Sequence, residues 1–291
     1  MPMFAHLLGG LSLVCIWSTT ALAIKWGVTG IDYSVSLLVR FSLAFLAMLP
    51  LLIVGRCKLP PWRRAWPAWL AAGGGTAISM ICTYWASQYL NSGLVAVIHG
   101  LTPLATAIFA RIWLDEHIAR NELIGIVLAI CGLVFIFSGR LSLRPDGIPA
   151  LLAVLAAMSV NSAGMVKLKG YSQGLDTVVI STGSMAVGTV ISGALWLAYG
   201  MPVPEAIPLR TLGAIFYLAL FGSVVAMSLY FWLIRECRPT QIALIPMIST
   251  VSALWLGNFL NNEVLTRNIL IGSGLILAGL ALHQLGTLRT K

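Results

Sequence analysis

The sequence predicts an all-α integral membrane protein with ten transmembrane helices, arranged as a 5+5 inverted repeat. Three observations support this fold class. Of the 291 residues, 59% are hydrophobic and only 9% are charged, whereas soluble domains carry about 25% charged residues. Apolar runs long enough to cross a bilayer core of about 30 Å recur along the whole chain. The two halves of the chain also repeat one another.

The repeat is clearest near the end of each half. Residues 116–125 read EHIARNELIG and residues 263–272 read EVLTRNILIG, so Glu, Arg-Asn and Leu-Ile-Gly recur in one register. Gly132 and Gly279 follow at equal distances. We therefore expect two repeats, at 1–140 and 141–291. An odd number of spans in each repeat inverts one half relative to the other, as in many secondary transporters.

The apolar runs give five spans in each repeat. In chain order they are Leu7–Ile24, Ser34–Val54, Pro67–Tyr89, Ser92–Trp113, Leu123–Ser138, Ile148–Val166, Thr177–Tyr199, Thr211–Ile234, Thr240–Leu260 and Asn268–Leu285.

Basic residues predict the orientation of these spans. With the N-terminus inside, twelve Lys and Arg residues lie on the inner side and five on the outer side. This bias predicts that both termini are cytoplasmic. The net charge of +9 follows from it and does not indicate nucleic-acid binding, because the cations are scattered over short loops. The five cysteines form no C-x-x-C or Cys/His cluster, so we expect no metal and no cofactor.

Several short motifs occur in a recognisable order. Residues 17–25 read WSTTALAIK, and the second span opens with LVRF at 38–41. The next two spans carry small residues with Tyr84, Ala86, Gly93, Thr102-Pro103 and Glu116. In order and spacing these elements resemble the tandem EamA-type domains of the drug/metabolite transporter superfamily, and the likeness covers nearly the whole chain.

The resemblance implies a secondary carrier of the inner membrane, with spans one to four and six to nine around a central cavity. It implies export of amino acids or related small metabolites by alternating access, with a small-molecule substrate and the bilayer as partners. Glycines of the tenth span could serve packing within the fold or in a homodimer. The candidate substrate-binding residues are Trp17, Thr20, Arg40, Ser79, Tyr84, His99, Thr102, Asn161, Tyr230 and Trp232.

Arg40, in the second span, is the outstanding cation inside a predicted span. A charge in the membrane is costly and commonly marks a pathway. One hypothesis is that its guanidinium binds the carboxylate or phosphate of a substrate. The alternative is a structural arginine that snorkels to an interface or bonds helix-end carbonyls.

His99 lies within the fourth span, four residues before Pro103. It could bind substrate or carry a proton, or it could be a neutral histidine bonded to a neighbouring helix. Pro103 removes a backbone hydrogen bond and leaves the carbonyl of residue 99 free. All nine acidic residues fall in loops or at span ends. This makes carboxylate-driven proton coupling unexpected, and Glu116 and Glu263 are expected to cap the helix that follows each of them.

Other functions stay open at this stage. The runner-up is a nucleotide-sugar or phosphorylated-metabolite antiporter of the same fold, which would need several cations facing the cavity. An integral membrane enzyme would need a nucleophile–base or metal constellation, and the sequence shows none. A channel would need a filter-like segment or a ring of charges. The carrier is the leading hypothesis, and no enzymatic activity is expected.

Overall fold

The computed structural model describes residues 2–55, 57, 59–114, 120–138, 147–200, 204–236 and 239–289, and all regular structure in these ranges is helical. The α-helices are α1 Pro2–Gly27, α2 Tyr33–Val54, α3 Trp62–Trp69, α4 Gly75–Ala86, α5 Ser92–His99, α6 Thr102–Leu114, α7 Arg120–Ser138, α8 Gly147–Tyr171, α9 Thr177–Tyr199, α10 Leu209–Ala219, α11 Ala226–Glu236, α12 Pro239–Asn261 and α13 Arg267–Arg289.

Two π-helical segments join shorter helices into continuous rods. Leu70–Gly74 links α3 to α4, and Leu220–Val225 links α10 to α11. The two segments lie on the third helix of each predicted repeat. A π-helical turn is rare and commonly lies at a functional site.

Helix length and composition confirm an all-α membrane protein. Six described segments are long and apolar enough to cross a bilayer: Phe4–Gly27, Tyr33–Val54, Ser92–Leu114, Gly147–Tyr171, Thr177–Tyr199 and Leu209–Tyr230. Shorter apolar helices occupy Leu123–Gly132 and Arg267–Leu282. Large apolar side chains such as Val190, Leu197 and Phe259 point outward, as lipid contact requires. The count of ten spans stays a prediction.

The predicted span boundaries differ from the helices mainly at their ends. The seventh span, Thr177–Tyr199, coincides with α9. The third begins at Trp62 rather than Pro67, because Pro61 lies at the N-cap and the first turn includes arginines that a hydropathy pattern rejects. The fourth is broken at residues 100–101 between α5 and α6.

Helices α7 and α13 pack backbone to backbone through repeated glycines. A Cβ on Gly132 would lie 2.5 Å from the Gly272 carbonyl oxygen, and a Cβ on Gly279 would clash with the Gly125 carbonyl. The residue number rises along one helix as it falls along the other, so the helices are antiparallel. These four glycines are the ones that recur in the sequence repeat, which explains their recurrence by close helix contact.

Two more pairs of equivalent helices also cross in antiparallel fashion. In the first, α2 lies against α9, and the ring of Phe41 covers Gly188 while Leu38 lies near Gly193. In the second, α5 lies against α12, and Gly93 meets Leu254. Further along the chain Gly100 meets Thr250. Small residues at each crossing allow the helix backbones to approach closely.

The first helix of each predicted repeat packs against helices of the other repeat. Helix α1 packs against α12 and α10, and its counterpart α8 packs against α6 and α4. Gly73, in the first π-helical segment, lies where a Cβ would be 2.6 Å from the Ser184 carbonyl oxygen. Gly73 therefore allows close contact between this segment and α9.

Candidate functional site

Arg40 and Tyr84 form a buried polar contact between α2 and α4. The Arg40 side chain is 6% exposed and Tyr84 is fully buried. Nη1 of Arg40 donates a hydrogen bond of 3.0 Å to the Tyr84 hydroxyl and lies 3.7 Å from the Met80 sulfur. The guanidinium carbon is 5.8 Å from the centroid of the Tyr84 ring. Tyr84 therefore contributes both a hydrogen-bond acceptor and an aromatic ring to this cation.

The opposite edge of the same guanidinium has a different environment. Nε of Arg40 is buried and has no hydrogen-bond partner among the described residues. Nη2 faces Gly222 in the second π-helical segment, and a Cβ there would lie 3.8 Å away. No Arg40 ion pair forms within the described ranges, where Lys25–Glu263 is the salt bridge seen.

His99 contacts α4 at a different residue, Thr83. Its Nε2 lies 3.0 Å from the Thr83 hydroxyl, which donates to the Ser79 carbonyl oxygen at 2.8 Å. Either atom can be the donor in the His99–Thr83 bond, depending on the tautomer of the ring. The Ser79 hydroxyl is fully buried and has no partner among the described residues.

The break after His99 follows from Pro103. Proline cannot donate to the carbonyl four residues earlier, and the Thr102 hydroxyl donates to that His99 carbonyl at 2.6 Å. The Thr102 carbonyl oxygen accepts a bond of 3.3 Å from the Ser162 hydroxyl on α8. The helix is broken at residues 100–101, and the Ser162 bond ties this break to the other half.

Asn161 lies on α8 and contacts α4. Its Oδ1 accepts a bond of 3.4 Å from the Thr76 hydroxyl. Helix α4 thus presents Thr76 to α8, Met80 and Tyr84 to Arg40, and Thr83 to His99.

Five of the ten predicted residues lie on α4 or bond to it: Arg40, Ser79, Tyr84, His99 and Asn161. Thr102 adjoins His99. We refer to these six residues as the α4 cluster.

The other four predicted residues lie on α1 and α11. The rings of Trp17 and Tyr230 are 5.3 Å apart and tilted, which brings these two residues together. Trp232 instead packs against His6 and over Gly9 near the start of α1. The Thr20 hydroxyl donates to the Ile16 carbonyl of its own helix at 2.7 Å, a bond that satisfies it locally.

Two crevices open to the side of the bundle. One of about 500 Å³ lies between α1 and the α10–α11 rod, lined by residues such as Leu8 and Phe221. The other, of about 320 Å³, lies between α1 and α10 and includes Trp26, Arg210 and Tyr217. Neither is lined by any of the ten predicted residues, so the α4 cluster is closed off from both crevices.

Sequence reasoning missed the ion pair at one end of the bundle. Lys25 Nζ lies 3.6 Å from Glu263 Oε1 and donates to the Leu90 carbonyl oxygen at 2.8 Å. Glu263 is 6% exposed. Its Oε2 accepts bonds from the Ser92 hydroxyl at 3.0 Å and the Gly93 amide at 3.3 Å.

The predicted role of Glu263 was therefore wrong in one respect. Its carboxylate caps α5, in the other half of the chain, rather than the following helix α13. Backbone capping at α13 comes from Thr266, whose hydroxyl accepts from the Ile269 amide at 3.3 Å. The reason is that the start of α5 lies close in space to residues 261–264, and their distance in the sequence hides this contact. Glu116 lies outside the described residues.

In the described ranges, no group of three or more His, Cys, Asp or Glu side chains could hold a metal ion. Asp32 and Asp176 cap α2 and α9 by accepting from the backbone amides of Ser34 and Val178. Both lie at helix ends, in agreement with the sequence prediction.

Comparison with known proteins identifies the family. The sequence model of the EamA-like transporter family matches residues 4–138 and, a second time, residues 148–283. The uncharacterized inner membrane transporter YedA of Escherichia coli K12 is 29% identical over 98% of this chain and 92% of its own length. Protein PecM of Dickeya dadantii is 24% identical over 93% of this chain and 89% of its own.

Two further similarities extend the comparison. The S-adenosylmethionine/S-adenosylhomocysteine transporter of Chlamydia trachomatis is 25% identical over 82% of this chain and 77% of its own. A crystal structure with 18% identity shares the fold across 99% of both chains, with a TM-score of 0.68. The doubled family match, together with the apolar helices, establishes a multi-pass membrane protein, and the chain belongs to the EamA-like transporter family.

Proposed function

We propose that this protein is a secondary carrier that exports amino acids or related small metabolites across the inner membrane by alternating access. One observation carries the proposal. A polar cluster around α4, with helices from both halves contributing, lies inside an otherwise apolar bundle. Buried polar groups inside a membrane protein are costly and commonly mark the route of a polar solute.

The architecture of the proposal is two inverted repeats, 1–140 and 141–291, each with five spans. Two features support it. Equivalent helices of the two repeats cross in antiparallel fashion, and the equivalent helices α1 and α8 each pack against the other repeat. A two-fold axis in the membrane plane produces both features. Both termini are cytoplasmic in the proposal, on the distribution of Lys and Arg.

The proposed substrate site comprises the six residues of the α4 cluster, with Trp17 and Tyr230 as an aromatic wall. Thr20 and Trp232 complete the set of ten. Both compounds in the name of the Chlamydia trachomatis transporter contain an amino-acid group, which supports the same substrate class. The chemistry is transport rather than catalysis, and association into homodimers is left to direct measurement.

The alternative is a nucleotide-sugar or phosphorylated-metabolite antiporter. The free edge of Arg40 would fit a phosphate oxygen pair as well as a carboxylate. A nucleoside diphosphate carries several charges, however, and Arg40 is the buried cation that the described residues place in the cluster. The balance of charge favours substrates with a single anionic group.

Reconstitution into proteoliposomes tests the proposal. We expect saturable counterflow of labelled amino acids, with a rate that does not change when a pH gradient is imposed. The reason is that the described carboxylates lie at helix ends rather than within the cluster, so no acid there couples flux to protons. Flux of phosphorylated compounds alone would replace the proposal by the antiporter. Flux of amino acids that stops without a pH gradient would overturn the facilitative mechanism.

A further inference from the structure

The strongest unexplained feature of the bundle is the uncompensated charge of Arg40. Its side chain is 6% exposed, yet no carboxylate pairs with it in the described part of the chain. The Tyr84 hydroxyl, a neutral group, accepts its one oxygen-directed hydrogen bond. A buried cation without an anion is strongly disfavoured, so an external anion would bind there favourably.

The geometry defines which atoms such an anion would contact. Nη1 is already engaged by Tyr84 and Met80. Nε is buried without a partner, and Nη2 makes no hydrogen bond within the described residues. Nε and Nη2 form the side edge of the guanidinium, and two parallel N–H groups on one edge match the two oxygens of a carboxylate.

The second π-helical segment lies beside this edge. A Cβ on Gly222 would lie 3.8 Å from Nη2, so any residue larger than glycine would crowd this edge. A purely structural arginine near a helix entrance would bond to helix-end carbonyls or reach toward the interface. Arg40 instead points inward to Tyr84 on α4.

We infer that the Nε–Nη2 edge of Arg40, beside Gly222, binds the single carboxylate of the transported substrate. The inference rests on the proposed function and narrows it to compounds with one carboxylate. Tyr84 holds the guanidinium in position from the opposite edge. Neutral amides and decarboxylated amines of the same skeleton lack the group that this edge recognises.

Paired ligands test the inference directly. The probes are leucine, phenylalanine and methionine, each with its carboxamide and its decarboxylated amine, measured by thermal stabilisation of purified protein and by competition against counterflow. Loss of the charge-assisted bonds should weaken binding of the amide and the amine about 10- to 100-fold. Equal binding of acid and amide would refute the carboxylate site, even if transport itself is confirmed.

Variants separate recognition from folding. Arg40→Gln should remove the preference for acid over amide, and Arg40→Lys should retain part of it because lysine keeps the charge but not the fork. Gly222→Val should block the acid while leaving Arg40 intact. Gly213→Val is the matched control, because a Cβ at Gly213 meets nothing within 4 Å. An unchanged acid preference in both Arg40→Gln and Gly222→Val would overturn the inference.

The source of the anion is distinguished by two further conditions. Liposomes of phosphatidylcholine alone contain no anionic lipid, and buffers without phosphate or chloride remove inorganic anions. A substrate carboxylate predicts that the acid preference persists in both. If leucine does not stabilise wild-type protein once anionic lipid, phosphate and chloride are removed, the edge does not bind the substrate carboxylate and the inference fails. If no probe is transported, the proposed function fails, while stabilisation by acids and not amides would still establish the site.

Discussion

Glu263→Ala is expected to lower the free energy of unfolding by about 3–5 kcal/mol, the range for removing one partner of a buried ion pair. The carboxylate bonds to Lys25, Ser92 and Gly93 at once, and it also accepts from Asn261 at 3.0 Å. Its loss leaves the Lys25 ammonium with the Leu90 carbonyl as its remaining contact. The α5 amide of Gly93 loses its cap at the same time.

Thermal unfolding in detergent measures this effect. Glu205→Ala is the matched control, because Glu205 is an exposed carboxylate in the loop before α10. Glu263→Gln should fall between the two, since the amide oxygen retains one acceptor but not the charge. If Glu263→Ala changes the unfolding temperature no more than Glu205→Ala does, the buried network does not hold this end of the bundle together.

The second large effect is expected at the crossing of α7 and α13. Gly132→Val and Gly279→Val should each destabilise the fold by about 1–3 kcal/mol or more, because a side chain at either position overlaps the backbone of the partner helix. The two positions are equivalent in the repeat, so the two variants should have similar effects. Their combination separates the helices further and is expected to abolish the folded state.

Gly274 offers the matched control for this pair. It lies on the same helix as Gly279, and a Cβ there meets nothing within 4 Å. Gly274→Val should leave the unfolding transition near that of the wild-type protein. Equal stability of Gly279→Val and Gly274→Val would contradict the close packing, and a large difference between Gly132→Val and Gly279→Val would contradict the two-fold relation.

The fold class was predictable because its signals are local. Long apolar stretches specify membrane helices with little help from tertiary structure, and α9 occupies the predicted residues. The recurring glycines at 125, 132, 272 and 279 indicated a duplication, although only the three-dimensional contact explains why those positions repeat. Helix ends were less predictable, because arginines and tryptophans beyond the apolar core also join the helix.

The candidate site was predictable in part. Pro103 indicated the break after His99, since the missing amide is a property of the residue itself. Arg40 and Tyr84 could each be selected as unusual in a span, but their contact depends on the rotation of α2 against α4. Thr83, Met80 and Gly222 were not among the predicted residues, because small or apolar side chains in a membrane helix give no signal of their own.

The Lys25–Glu263 pair was hidden for another reason. Each residue lies at a span end, where charges are common, and 238 positions separate them in the sequence. Only the fold brings the start of α5 and residues 261–264 together. That contact joins the two proposed repeats at one end of the bundle. A carrier that works by alternating access has to open this end during each cycle.

A reversible cross-link at this end tests whether the contact opens during transport. The Asn91 side chain donates to the Val264 carbonyl oxygen at 3.4 Å, which places these two residues in contact. Cysteines are placed at both positions in a background without native cysteines, and disulfide formation is measured before transport. We expect oxidation to stop amino-acid counterflow in proteoliposomes and reduction to restore it, with each single-cysteine variant unaffected by oxidation. Undiminished counterflow through fully cross-linked protein would contradict alternating access at this end of the bundle.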